Sequence, residues 1–208
     1  MIRYAITSRA LYLGSEQEKQ AALLAEASRW IANRIDYIQI REKDLPAASL
    51  TAIARKLLQT INLTASPTRL LINSRPDIAL ATNAHGVHLS SSPDALTPAQ
   101  VRDLYISANQ PSPHITTSCH TLEDVQRART ENVDAILFAP VFEKPLPNQQ
   151  ILPGQGLDQL RAACLAAAPV PIYALGGVTL KNIPSCLEAG ATGIAGIRLF
   201  HRSPEHLS

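Results

Sequence analysis

Three stretches of this sequence carry side chains whose types and spacing could do chemistry. In Gln39-Ile40-Arg41-Glu42-Lys43-Asp44, strand alternation sends Gln39, Arg41 and Lys43 to one side. An amide, a guanidinium and an ammonium converging in this way suit a phosphate or pyrophosphate. The alternative is that Glu42 and Asp44 neutralise those cations as interior ion pairs. A second anion signal comes from glycines in Leu175-Gly176-Gly177-Val178 and in Ala195-Gly196-Ile197-Arg198, which let backbone N–H groups come close to a phosphate. The third stretch is Ser118-Cys119-His120. His120 is the acid/base candidate, because an imidazole can both take and return a proton near neutral pH. Cys119 has only the adjacent His120 as an activating partner, so a nucleophilic role is not favoured. Asn73, Ser74 and His88 add polar groups, whereas His85, His114, His201 and His206 form no constellation and read as turn or surface residues.

These candidates need elements to hold them. Short apolar runs at Arg3 to Thr7, Tyr37 to Arg41, Leu70 to Asn73, Gly86 to Leu89, His114 to Ser118, Ala135 to Phe138, Pro171 to Ala174 and Gly193 to Ile197 read as eight strands. Between them, helical spacing marks Glu16 to Asn33, Ala47 to Thr60, Pro98 to Ser107, Leu122 to Glu131, Gly156 to Ala167 and Leu180 to Ala189. Spread over eight units, 208 residues leave roughly 26 each, enough for one strand, one helix and two loops. The predicted fold is an α/β TIM (β/α)₈ barrel, one domain over 1–208, with an abbreviated last helix because Pro204 interrupts the few residues after Phe200. An open doubly wound sheet would carry G-x-G-x-x-G after its first strand, where this chain has Thr7-Ser8-Arg9-Ala10-Leu11. In a barrel the candidates fall at the C-terminal strand ends, where such sites lie. The Pro/Gln-rich loop Leu146 to Gly154 is long enough to be a mobile flap over them.

Composition narrows the function. Hydrophobic residues make up 46% of the chain, and 19 basic against 17 acidic side chains leave +2, with no basic stripe of the kind a nucleic acid demands. There is no apolar run of membrane-spanning length and no signal-peptide pattern at Met1 to Thr7, so a cytoplasmic protein is expected. Cys119, Cys164 and Cys186 lack C-x-x-C spacing and read as free thiols, and no metal site is expected. The partner implied is a phosphorylated small molecule, with homo-oligomerisation left open.

In order along the chain, Tyr37-Ile38-Gln39-Ile40-Arg41-Glu42-Lys43-Asp44-Leu45, Leu71-Ile72-Asn73-Ser74-Arg75-Pro76-Asp77, Gly86-Val87-His88-Leu89, Ser118-Cys119-His120-Thr121-Leu122-Glu123, Ala139-Pro140-Val141-Phe142 and Leu175-Gly176-Gly177-Val178 resemble the successive motifs of the thiamine phosphate synthase and TenI family of barrels. The resemblance implies a hydroxyethylthiazole phosphate held at Gly176 and Gly177. In the synthase branch it also implies a pyrimidine diphosphate with Mg²⁺ near Gln39, Arg41, Lys43 and Asn73. This chain departs from the synthase pattern. Ser74 stands where that pattern has an aspartate, Ser90-Ser91-Ser92-Pro93 replaces its acidic stretch with Asp94 one residue late, and Glu143-Lys144-Pro145 follows Phe142, with Lys144 standing in for the usual lysine. A lone carboxylate is a poor site for Mg²⁺. The expectation is therefore a TenI-like thiazole tautomerase needing no cofactor, with His120 moving the proton. The alternatives are a Mg²⁺-dependent thiamine-phosphate synthase and a non-catalytic phospholigand-binding barrel.

Overall fold

The computed structural model describes residues 1–92, 94–145 and 151–201. Eight parallel strands close a barrel in the order β1, β10, β9, β6, β5, β4, β3, β2. They are β1 (Ile2–Ile6), β2 (Tyr37–Ile40), β3 (Arg69–Asn73), β4 (Gly86–Leu89), β5 (His114–Cys119), β6 (Ala135–Phe138), β9 (Ile172–Ala174) and β10 (Gly193–Gly196). Between β6 and β9 a two-stranded antiparallel pair, β7 (Lys144–Pro145) and β8 (Ile151–Leu152), precedes α6. The helices are α1 (Glu16–Ala32), α2 (Ala47–Leu63), α3 (Pro76–Thr82), α4 (Pro98–Ser107), α5 (Leu122–Thr130), α6 (Gly156–Ala167) and α7 (Ile183–Glu188).

Strand alternation divides the core in two. Ala5, Ile38, Ile40, Leu70, Ile72, Val87, Ile115, Ile136 and Phe138 face outward into a shell that includes Leu23, Ile31, Leu57, Val101 and Leu160 of the helices. Tyr4, Ile6, Ala135, Leu137, Tyr173 and Ala195 fill the barrel interior. Three helices start on reciprocal side-chain caps, Ser15 with Glu18, Thr97 with Gln100 and Thr121 with Asp124, which satisfy the first free N–H groups and fix each loop-to-helix junction.

The sequence reading places the strands within a residue or so. Most differences are end effects: β2 stops at Ile40, so Arg41 opens the following turn, and α2 continues to Leu63 because Ile61 still packs inward. The short α3, bounded by Pro76 and by Asn83 in the left-handed conformation, was not singled out because seven residues show too few turns for a period. The predicted Leu180 start of α7 falls in a turn, and the helix begins at Ile183. Residues 146–150 of the proposed flap lie outside the described residues, whereas Ile151–Leu152 pair with Lys144–Pro145. The abbreviated eighth helix, Pro204 and His206 also lie outside them.

After β10 the described chain makes a turn held by α1. Trp30 Nε1 and Arg29 Nη2 both donate to the Phe200 carbonyl, at 2.9 and 2.7 Å, and the His201 ring packs on Tyr12. His201 and His114 are corrections to the surface reading. His114 stacks on Tyr37 with ring centroids 5.1 Å apart at the lower end of the barrel, because it opens β5 on the inward face. His85 is exposed, in line with the surface reading, and its Nδ1 accepts from the Leu70 N–H at 3.0 Å.

Candidate active site at the barrel mouth

The strand ends bring the predicted residues to one rim in two groups. On the β1–β3 side, Gln39 is 1% exposed and its Nε2 donates to Asn73 Oδ1 at 2.8 Å, so β2 and β3 are tied by their last inward side chains. Gln39 Oε1 is buried and meets no donor among the described residues. Arg41 is half-buried just past β2, close enough that its charge, together with burial, pushes the His88 imidazole down to about 3. Burial is the larger cause. Lys43 is exposed and lines a cavity of about 290 Å³ with Glu42, Asn73, Ser74, Arg75 and Ser90.

The acidic residues between these cations have other partners. Glu42, with only 3% of its side chain exposed, accepts from Thr7 Oγ1 at 2.6 Å, from the Arg9 backbone N–H, and from Arg9 Nη1 at 3.1 Å. Asp44 accepts from the same guanidinium at both Nη1 (2.7 Å) and Nη2 (2.5 Å), and Arg9 holds its carboxyl down at about 2. The ion-pair alternative is therefore right about Glu42 and Asp44 and wrong about their partner, and Arg41 and Lys43 keep their charge available. Arg9 is not legible as part of the site in the sequence because its partners Glu42 and Asp44 lie 33 and 35 positions away. The available signal was a cation just past the end of β1, beside the turn after β2 that carries Glu42-x-Asp44.

The test for Mg²⁺, the cation the synthase resemblance implies, turns on the same groups. Glu42 is the carboxylate lining that cavity, and it is already committed to Arg9 and Thr7. Asp94 is exposed and lines neither this cavity nor the neighbouring one of about 330 Å³ beside Ser118. The remaining donors are hydroxyls of Ser74 and Ser90 and the amide of Asn73, a set that does not fit a hard divalent cation.

The β5–β9 side is organised around one carbonyl. His120 lies just past β5, and its Nδ1 is 2.6 Å from the Ala139 oxygen, which also accepts from Gln155 Nε2 at 3.0 Å. A carbonyl can only accept, so Nδ1 carries a proton and Nε2 is the nitrogen left to exchange one with a ligand. Gln155, at the start of α6, was missed because only the fold brings it back to β6. Gly176 and Gly177 follow β9 at φ +90° and +64°. A Cβ on Gly176 would sit 2.7 Å from Pro140 Cα, and one on Gly177 would sit 2.6 Å from the Glu143 oxygen, so this glycine turn lies directly against the segment that holds His120. Asn182 Nδ2 donates to the Gly177 carbonyl, and among the described residues no acceptor meets the N–H groups of Gly176 and Gly177.

Below His120 on the same face of β5, Ser118 Oγ is 2.9 Å from His88 Nε2. Gly196 ends β10 at the rim with Leu199 close behind it, whereas Ala195 lies one step lower in the buried interior, so the phosphate candidates of this strand begin at Gly196. Lys144 is in β7, beyond β6. Cys119 faces the helical shell, where burial pushes its thiol up to about 12, so it is no nucleophile.

Residues 4–200 match the family model described as thiamine monophosphate synthase. The chain is 36% identical to a putative thiamine-phosphate synthase of Geobacter sulfurreducens over 197 residues, covering 94% of this chain and 88% of that one. It is 32% identical to a thiamine-phosphate synthase of Thermus thermophilus over 184 residues, covering 88% and 84%. Among solved structures, thiamine phosphate pyrophosphorylase from Pyrococcus furiosus superposes with a TM-score of 0.75 over 95% of this chain and 85% of that one, at 24% identity, a likeness of fold.

Proposed function

The chain belongs to the thiamine monophosphate synthase family, and from that premise we propose that it acts in thiamine biosynthesis on a thiazole phosphate, as a metal-independent tautomerase. The observation that carries this reading is the fixed tautomer of His120. Its Nδ1–H is held by the Ala139 carbonyl, and its Nε2 is left as a base at the rim. In the reaction one C–H bond of a carboxythiazole phosphate breaks, His120 carries the proton, and a second C–H bond forms as the ring becomes aromatic. The N–H groups of Gly176 and Gly177, with the turn after Gly196, grip the phosphate. His120 then needs no metal, because the charge that develops is spread over the conjugated ring and relieved by return of the proton.

A second reading is the synthase itself, and the names of the relatives favour it. Arg41, Lys43 and the Gln39–Asn73 pair suit a diphosphate-bearing pyrimidine, and the unmet Gln39 oxygen suits an amino group on its ring. Against it stands the poor fit for Mg²⁺, which a departing pyrophosphate requires. The deciding experiment runs both reactions with and without EDTA. Isomerisation of carboxythiazole phosphate unaffected by EDTA is expected. A Mg²⁺-saturable coupling of pyrimidine diphosphate to thiazole phosphate at ordinary enzyme rates, without isomerisation, replaces this reading by the synthase.

A further inference from the structure

We infer that Ser118 is a one-way hydrogen-bond donor, set in that state by a chain of hydrogen bonds that starts at Tyr4 inside the barrel, so that whatever group sits on Ser118 must be an acceptor. The chain has three links. Tyr4 Oη lies 3.2 Å from Thr116 Oγ1, Thr116 Oγ1 lies 2.9 Å from His88 Nδ1, and His88 Nε2 lies 2.9 Å from Ser118 Oγ. Tyr4, Thr116 and His88 are all buried, and Ser118 alone reaches the mouth.

The direction follows from counting protons. Tyr4 is fully buried, burial raises its phenol so that it keeps its proton, and Thr116 Oγ1 is the acceptor it meets among the described residues. A buried O–H takes an acceptor when one is present, so Tyr4 donates to Thr116. Thr116 then turns its own proton to His88 Nδ1. His88 is held neutral by burial and by Arg41, so it has one N–H, and with Nδ1 accepting that proton sits on Nε2. Nε2–H donates to Ser118 Oγ, and the Ser118 proton is left pointing to the ligand. Running the chain backwards strands the Tyr4 proton in the interior, which disfavours that direction by a factor of about 5 to 150.

Tyr4, Thr116 and His88 are thus positioning residues for a group two strand positions below His120. On the tautomerase reading, the acceptor they select is the carboxylate of carboxythiazole phosphate. A ligand that presents an amino group at this place meets a donor facing a donor and is rejected.

The chain makes a prediction that needs no ligand. In ¹⁵N-labelled protein, long-range ¹H–¹⁵N correlation of the His88 ring is expected to show a single tautomer protonated at Nε2. Tyr4→Phe keeps the shape and removes the proton that sets the direction, so His88 should become a mixture or shift to Nδ1–H. Thr116→Val cuts the middle of the chain and should also unseat the single tautomer. An Nδ1–H tautomer in the unaltered protein, or an unchanged ring in both variants, overturns the proposal.

With carboxythiazole phosphate as substrate, Tyr4→Phe should raise KM about 3- to 10-fold, one neutral hydrogen bond in scale, with kcat within about twofold. On a Ser118→Ala background it should change KM by less than about twofold, whereas additive effects overturn the link between Tyr4 and Ser118. If the protein does not turn over carboxythiazole phosphate while the tautomer result holds, the function reading fails and the donor chain stands.

Discussion

On the β1–β3 side of the mouth Glu42 and Asp44 are engaged by Arg9, whereas on the β5–β9 side His120 is tied at one nitrogen and free at the other. The first side is a charge device. Its carboxylates are consumed by an interior cation, and what it offers a ligand is the positive field of Arg41 and Lys43. The second is an orientation device, in which one backbone carbonyl selects a tautomer and a glycine turn lies against the same segment. Electrostatic attraction tolerates imprecise placement, and proton transfer does not. The two halves of one rim are therefore built differently, one on charge and the other on orientation.

On the proposed function, the largest effect should come from breaking the half built on orientation. His120→Asn keeps size and some hydrogen bonding and removes the base, so kcat for isomerisation should fall about 10²- to 10⁴-fold with KM little changed. A loss of less than tenfold in steady-state rates removes His120 from the mechanism. Next comes the anchor of the charged half. Arg9→Met leaves Glu42 buried without its cation and should destabilise the protein by about 3–5 kcal/mol in denaturant titration. The exposed Asp44 and Glu16 contacts of Arg9 add little to that figure.

His88 lies between the halves and gives a pH signature. Its folded value is depressed from 6.5 to about 3, so between those values the unfolded chain binds the extra proton and stability falls as pH is lowered. The slope from this group approaches about 1.4 kcal/mol per pH unit between pH 6.5 and 3 and vanishes above 6.5. His88→Gln should flatten that limb relative to the unaltered protein. Urea titrations giving parallel limbs for both would show that His88 is not held neutral. The smallest effects sharpen the contrast most: Arg41→Ala and Lys43→Ala should each slow isomerisation less than about tenfold, because that reaction releases no pyrophosphate. In the synthase reading the same two variants cost more than His120→Asn, so their ranking in the two assays separates the readings.

Much of this architecture was legible along the chain because alternation and turn residues are local properties. Ile38 and Ile40 announce an outward face, and Gln39 between them an inward one, before any fold is known. A barrel carries its site at the C-terminal strand ends, which singles out Asn73, Ser118 and Gly176. What stayed hidden is long-range pairing. Nothing local links Arg9 to Glu42, His120 to the Ala139 carbonyl, or Tyr4 to Thr116, 112 positions away. Turn chemistry at α3 was present in Pro76 and Asn83 but too brief to form a period. The chemical identity of the mouth was legible, and its wiring was not.

The seam between β1 and β10 has a bearing on how the molecule is made. Ile2 pairs with Gly193, and the turn after β10 is fastened to α1 by Trp30 and Arg29. Ring closure joins β1 to β10, so it cannot occur on the ribosome until synthesis has passed Gly196. Until then β1 and the growing end of the sheet present unpaired edges, the state in which sheets are most open to wrong partners. Loss of the Trp30 contact should therefore show first as poorer yield of folded protein during synthesis, ahead of any change in the finished enzyme.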